Sequence, residues 1–259
     1  MLPSTPKNIH SMDTRLVIIP TYNEKENIEA IIRAVMGLPL EFHILIIDDG
    51  SPDGTADIVK KLQKKEFKDK LFIVERAGKQ GLGTAYICGF KWAIEHKYDF
   101  IFEMDADFSH NPQDLLKLYD ACANQGADVA IGSRYVTGVN VVNWPMGRVL
   151  MSYFASKYVR FVLGMKIHDT TAGFKCYRRE VLETIELDKI RFKGYAFQIE
   201  MKFTAYKCGF KLVEVPIIFI NRVLGTSKMS GGIFSEALLG VIRLKMSSWT
   251  RKYPKKKNK

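Results

Sequence analysis

The chain has no apolar stretch free of charge that approaches the roughly 20 residues a bilayer span requires, so an integral membrane protein is not expected. Cysteine is scarce. Cys88, Cys122, Cys176 and Cys208 lie far apart with no Cys-x-x-Cys pair, which argues against a disulfide scaffold or a zinc site and leaves reduced thiols in a cytosolic compartment as the expectation. There is no Gly-x-x-x-x-Gly-Lys-Ser/Thr phosphate loop. Gly81-Leu82-Gly83 lacks the third glycine of a dinucleotide fingerprint and falls in the wrong unit for one, so it reads as a tight turn opening a helix. Any nucleotide must then be held by side chains and a metal. Acidic residues are outnumbered 28 to 39 by basic ones, and the resulting +11 favours anionic partners: nucleotides, phospholipid surfaces or nucleic acid. A non-enzymatic nucleic-acid- or membrane-binding protein is the reading that charge alone would suggest. No helix-turn-helix, zinc-finger or RNA-binding signature supports it, and no nucleic-acid partner is expected.

What is present is a long alternation of strands and helices. Residues 1–14 mix Pro, Ser, Asn and Lys without periodicity and read as a flexible leader. Residues 16–19 form a β-branched run closed by Pro20, and Ile28, Ile31, Ile32, Val35 and Met36 then recur at helical spacing. Residues 43–47 are a second strand, 48–54 a turn-rich loop and 55–65 a helix; strands at 71–74, 100–104 and 129–131 follow, the first of them with a helix running through Trp92 and Ile94. At this spacing the fold class is α/β, a mostly parallel central sheet with helices on both faces and ligands beyond the carboxyl ends of the strands.

The fourth strand carries the chemistry. Phe100-Ile101-Phe102-Glu103-Met104 is a buried run that delivers Asp105 and Asp107 where the strand gives out, and Asn111-Pro112 then begins a helix. Alternate residues of an extended chain face the same way, so both carboxylates can address one hard cation that keeps coordination positions for phosphates. On the tripeptide alone, a solvated strand end is an equal reading.

The motifs Pro20-Thr21-Tyr22-Asn23-Glu24, Asp48-Asp49-Gly50-Ser51-Pro52-Asp53-Gly54, Gly81-Leu82-Gly83-Thr84, Asp105-Ala106-Asp107, Gly132-Ser133-Arg134-Tyr135, Asp169-Thr170-Thr171-Ala172-Gly173-Phe174 and Arg222-Val223-Leu224-Gly225-Thr226-Ser227-Lys228 occur in that order. Together they resemble the family 2 glycosyltransferases, and among them the dolichol- and polyprenol-phosphate mannosyltransferases, over about residues 16–248. The resemblance implies a GT-A fold, a nucleotide sugar, usually GDP-mannose, and Mg²⁺ or Mn²⁺. Pro20, Tyr22, Glu24, Ile47 and Asp49 would line the base and ribose pocket, where an ionised acceptor suits hydroxyls or a guanine N–H edge. Glu24 also reads as an acid near a helix N-terminus. Asp105, Ala106 and Asp107 would meet the diphosphate and metal, with an oxygen of Ser109 as a further ligand, and Arg222 and Lys228, on a loop after a strand read at residues 212–219, would close over the donor; without the resemblance those two are a solvated basic loop. Arg134, Arg148 and Ser152 match positions that receive the acceptor phosphate, a task for which the planar guanidinium is suited. Asp169 stands where relatives often keep an acidic base; base, acceptor-orienting group and helix cap all remain open. Donors such as UDP-glucose or UDP-GlcNAc, with a lipid phosphate or another acceptor, are the rival reading.

The implied glycosyltransferase domain is residues 15–232. Within it, residues 144–163 are helical, with Arg148, Ser152, Ser156 and Arg160 on a polar stripe and a broadly apolar remainder. That surface is either packed core or a membrane interface with the stripe turned to the site. Residues 233–250 repeat an amphipathic pattern carrying Phe234, Leu238, Val241, Ile242 and Trp249 on one side, and residues 251–259 hold six cations expected to be solvated. Helix plus basic tail is a two-signal attachment to an anionic membrane, here from the cytoplasmic side as a peripheral protein; the alternatives are a helix docked on the core and a tail that binds nucleic acid or nothing. Some relatives also rely on small membrane-anchoring subunits.

Overall fold

The computed structural model describes residues 13–194, 196–222 and 233–257, with backbone alone for 233–237. Five strands run as anticipated: β1 (Arg15–Thr21), β2 (His43–Asp48), β3 (Leu71–Glu75), β4 (Phe100–Glu103) and β5 (Val129–Ser133). Strands β6 (Val141–Val142), β7 (Lys175–Arg178), β8 (Leu212–Pro216) and β9 (Phe219–Ile220) complete the β structure. The main sheet is seven-stranded in the order β3-β2-β1-β4-β7-β5-β8, and β6 pairs with β9 in a small ribbon. All neighbours in the main sheet are parallel except β7, which runs antiparallel to both β4 and β5. The strand order reverses between β1 and β4, and a crevice opens beyond their carboxyl ends at such a point.

The layers follow from alternation along the strands. Leu16 and Ile18 of β1 face a layer formed by α3 (Leu82–Glu95), the end of α5 (Met146–Leu163), α6 (Arg179–Thr184) and α7 (Ala196–Cys208). Val17 and Ile19 face α1 (Ile28–Met36), α2 (Thr55–Lys65) and α4 (Asp114–Ala123) on the other side. All four are fully buried, each contributing about 1.5–3 kcal/mol relative to exposure. α3 approaches the sheet so closely that a Cβ on Gly89 would stand 2.7 Å from Ile18 Cγ2, and its leading Gly81 holds φ +101, the turn expected there.

Two expectations need correction. The strand read at 212–219 breaks after Pro216, whose missing N–H ends the ladder, and resumes as β9 on a different partner. The terminal basic segment is not a solvated tail as far as Lys257. Beyond α8 (Ile233–Thr250) it folds back: Tyr253 packs on the α7 core layer, the Lys256 amide donates to the Cys208 carbonyl at 2.9 Å, and its ammonium holds both Asp128 oxygens at 2.8 Å. The aromatic at 253 and the far-off Asp128 give this segment something to dock on, whereas Lys252, Lys255 and Lys257 stay exposed. Truncation after Thr250 is therefore expected to cost about 2 kcal/mol, lowering Tm by about 4–8 °C in a calorimetric melt. An unchanged Tm would return the segment to solvent.

The apolar side of α8 also differs from the sequence reading. Val241 and Leu244 are buried, while Leu238, Leu239, Ile242, Met246 and Trp249 face outward. On α5, Ser156, Val159 and Leu163 point inward and Met146, Leu150, Met151, Phe154 and Phe161 outward. The two helices pack together. No helix among the described residues is long and apolar enough to cross a membrane.

Candidate active site

The first wall of the crevice is built from the ends of β1 and β2, where Pro20 pairs in register with Ile47 and Thr21 with Asp48. Asp48 is occupied structurally, accepting from the Thr21 hydroxyl at 2.8 Å and from the amide and hydroxyl of Ser51. Asp49 is held by Arg76, whose Nε donates at 2.6 Å while its NH1 reaches the Thr84 hydroxyl at 2.8 Å. Arg76 thereby ties the second and third motifs together, a link between distant positions that no local pattern announced. Tyr22 lies at the same rim with the Lys79 ammonium 5.5 Å over its ring. Glu24, nearly buried, accepts from Asn27 Nδ2 at 3.0 Å just ahead of α1, and its charge is felt at Asp105. The contact with Asn27 ahead of the helix matches the helix-start role considered for it. The side chains of Ile47 and Ala106 are sunk in the core and offer a ligand only their main chain.

Beyond β4 the chain turns sharply, and Phe108 adopts φ +58, a left-handed conformation that a bulky residue takes only under constraint. The turn lets Ser109 N–H donate to Asp107 Oδ1 at 3.0 Å, while Arg222 meets Asp107 Oδ2 at 2.7 Å. Ser109 is buried and its main-chain oxygen accepts from Ile220 N–H at 3.1 Å. Desolvation by the crevice walls, and then the charge of Asp107, push the Asp105 carboxyl up to about 7, although its side chain is still 42% exposed. An acid pair that presents only hard oxygen donors, with one cation, Arg222, beside it, fits a divalent cation. Next in the loop stands His110, buried, pushed down to about 4 chiefly by that burial, and absent from the sequence reading.

The opposite wall gathers the arginines. Arg134, just past β5, is buried in a bidentate pair with Asp169, Nε to Oδ2 at 2.7 Å and NH2 to Oδ1 at 2.6 Å, and it also donates to the Thr171 hydroxyl. Burial alone would raise the Asp169 carboxyl, but the Arg134 charge and its hydrogen bonds outweigh burial and hold it below its ordinary value. Trp144 links the two arginines: Arg148 lies 4.0 Å and Arg134 5.5 Å over its ring. Arg148 also donates to Asn221 Oδ1 at 3.1 Å, beside Arg222 in sequence. Ser152 follows one turn along α5 and is half-buried. Lys228 lies outside the described residues.

Beneath the floor is a buried polar cluster that sequence reading missed. Glu103 of β4 stands opposite Lys175 of β7 in register, with Lys175 Nζ 3.0 Å from its carboxylate, and Glu103 also accepts from Tyr177 and Gln198. Lys202 places its ammonium on the carbonyls of Thr170 and Ala172 at 3.0 and 2.6 Å, clamping the loop that carries Asp169. Burial lowers the pKa of both lysines. A glutamate at the end of an apolar strand was the available signal. Asp105, His110, Arg134, Thr171 and Gln198 line one cavity that opens to solvent.

A sheet reversing at β1/β4, with an acid pair at the β4 end and a parallel β5–β8 wing beyond an antiparallel strand, defines an enzyme of the GT-A glycosyltransferase type. The chain belongs to glycosyl transferase family 2, whose family model matches residues 16–186. It is 48% identical over 236 residues to the polyprenol monophosphomannose synthase of Mycolicibacterium smegmatis, covering 91% of this chain and 88% of that one. It is 45% identical over 228 residues to the undecaprenyl-phosphate mannosyltransferase of Micrococcus luteus, covering 88% and 92% respectively. Among solved structures, glucosyl-3-phosphoglycerate synthase from Mycobacterium tuberculosis, in complex with Mn²⁺, UDP and glucosyl-3-phosphoglycerate, shares the fold with TM-score 0.66 and 16% identity over 92% of this chain and 81% of that one. A mannosyltransferase from Pyrobaculum calidifontis in complex with GDP-Man and Mn²⁺ does so with TM-score 0.59 and 17% identity over 93% and 66%.

Proposed function

We propose that the protein is an inverting mannosyltransferase that moves mannose from GDP-mannose to a polyprenyl (dolichyl-type) monophosphate at the cytoplasmic surface of a membrane. The names of the two bacterial relatives support this choice of sugar and acceptor. The observation that carries it is the state of Asp169. Transfer to an alcohol needs a general base, yet this carboxylate is fully buried and saturated by Arg134 and Thr171. A phosphate acceptor arrives already ionised and needs only to be positioned, and Arg148, with Arg134 behind it, is suited to that.

Pro20, Tyr22, Glu24, Ile47 and Asp49 would take the nucleoside, and Asp105 and Asp107 with an oxygen of Ser109 would hold Mg²⁺ or Mn²⁺. Such an ion supplies positive charge to the leaving diphosphate. Arg222, paired with Asp107, and Lys228 would add to it. The acceptor oxygen forms its bond to the anomeric carbon as the bond to the diphosphate breaks on the opposite face, inverting the centre. The outward apolar residues of α5 and α8, beside exposed lysines, support attachment at an anionic lipid interface.

Incubation with divalent metal, polyprenyl phosphate and, separately, GDP-mannose, UDP-glucose or UDP-GlcNAc tests the reading. A polyprenyl phosphate hexose by mass spectrometry from GDP-mannose alone, β-linked by NMR, is expected; product from a UDP-sugar instead would overturn the donor. Arg148→Ala is expected to raise the acceptor KM about 30-fold, the loss of a charged hydrogen bond worth about 2 kcal/mol, with nucleotide affinity unchanged. Weaker nucleotide binding with unaltered acceptor kinetics would move Arg148 to the donor side.

A further inference from the structure

His110 has no part in the assignments above, yet it is held with unusual firmness. Its ring stacks on Phe174 at 4.8 Å and takes the edge contact of Phe219 at 5.2 Å, and its side chain is 5% exposed. Buried polar atoms ordinarily have partners. Among the described residues none hydrogen-bonds to His110 Nδ1, a buried atom of a residue that lines the cavity shared with Asp105, Arg134, Thr171 and Gln198. Asp105 Oδ2 is 3.9 Å from it, too far for a direct hydrogen bond.

That gap selects its occupant. One oxygen placed about 2.8 Å from each atom would see them at roughly a right angle, within reach of a hydroxyl's bonding directions. A hydroxyl both accepts and donates, so it can take Nδ1–H and give its own proton to the carboxylate. A phosphate oxygen has no proton to give and would face Asp105 charge against charge. A cation bonded to both atoms at about 2.1 Å would need an angle of roughly 135°, far from octahedral or tetrahedral values. We infer that His110 Nδ1 and Asp105 Oδ2 together grip one hydroxyl of the sugar being transferred, which makes His110 a specificity-determining residue of the donor site. This rests on the reading of the cavity as a nucleotide-sugar site.

His110→Phe keeps the aromatic stack and removes the nitrogen; His110→Asn returns a polar atom near the place of Nδ1. Calorimetric titration with GDP-mannose and with GDP, each with Mn²⁺, is expected to show His110→Phe weakening GDP-mannose about tenfold and GDP not at all, with His110→Asn recovering most of the loss. A set of GDP-mannoses lacking one hydroxyl each should contain one that the wild type binds about tenfold more weakly and that His110→Phe binds no worse than GDP-mannose itself. Equal affinity of His110→Phe for GDP-mannose, an equal loss for GDP, or wild-type indifference to every missing hydroxyl would overturn the assignment, the last without any variant having to fold. If the wild type binds UDP-glucose rather than GDP-mannose, the proposed donor falls, and the same comparison of UDP-glucose with UDP still decides the role of His110.

Discussion

Asp107→Asn is expected to lower transfer by about 1,000-fold while leaving Tm within a degree or two of the parent. The amide oxygen still accepts Ser109 N–H, so the turn at Phe108 survives, while the amide NH2 no longer pairs with Arg222. What is lost is an anion beside Asp105 and, on the proposed reading, the grip on a divalent ion and on the diphosphate it would neutralise, an effect on the order of 4 kcal/mol. Steady-state kinetics with GDP-mannose measure the loss. Mn²⁺ binding followed by electron paramagnetic resonance should fall in parallel, a readout independent of turnover. Wild-type rates in the variant, or full activity of the parent in excess chelator, would sink the metal assignment. Relief of the Asp107 charge should also let the Asp105 carboxyl drop back from about 7 towards its ordinary range.

The acid pair was legible because a buried apolar strand that ends in carboxylates is a local pattern, and alternation made the parallel half of the sheet equally plain. Strand β7 was not. Lys175, Cys176, Tyr177 and Arg178 read as polar until Glu103 is seen across from Lys175, and that partner is 72 residues away. Arg76 on Asp49 and Lys256 on Asp128 were hidden for the same reason, since an ion pair between distant positions leaves no periodic trace. Helix α5 was visible as a helix, but which side faced inward depended on whether Arg148 had Trp144 and Asn221 to meet. The motif carrying Asp169 was recognisable and its role was not, because a carboxylate acting as base and one neutralising an arginine have the same spacing in a chain.

That role can be separated from simple stability. Asp169→Asn removes the charge that balances Arg134 where both side chains are almost wholly buried, so unfolding by urea at pH 7 should show a loss of about 3–5 kcal/mol. Most of that loss is the penalty of an uncompensated buried cation. The double variant Arg134→Met, Asp169→Leu removes both charges and is expected to regain most of the stability while remaining without transfer activity, since neither the guanidinium nor its fixed orientation remains. The pH dependence gives an independent check. A carboxyl held below its ordinary value of 3.8 in the folded state contributes stability that is complete above that value and is lost as pH falls through the lowered one. The advantage of the wild type over Asp169→Asn should therefore be constant from pH 7 to about pH 5 and shrink in stronger acid. A double variant that folds and still transfers mannose at the parental rate would show that the pair serves the fold alone, and acceptor positioning would then fall to Arg148 and Ser152.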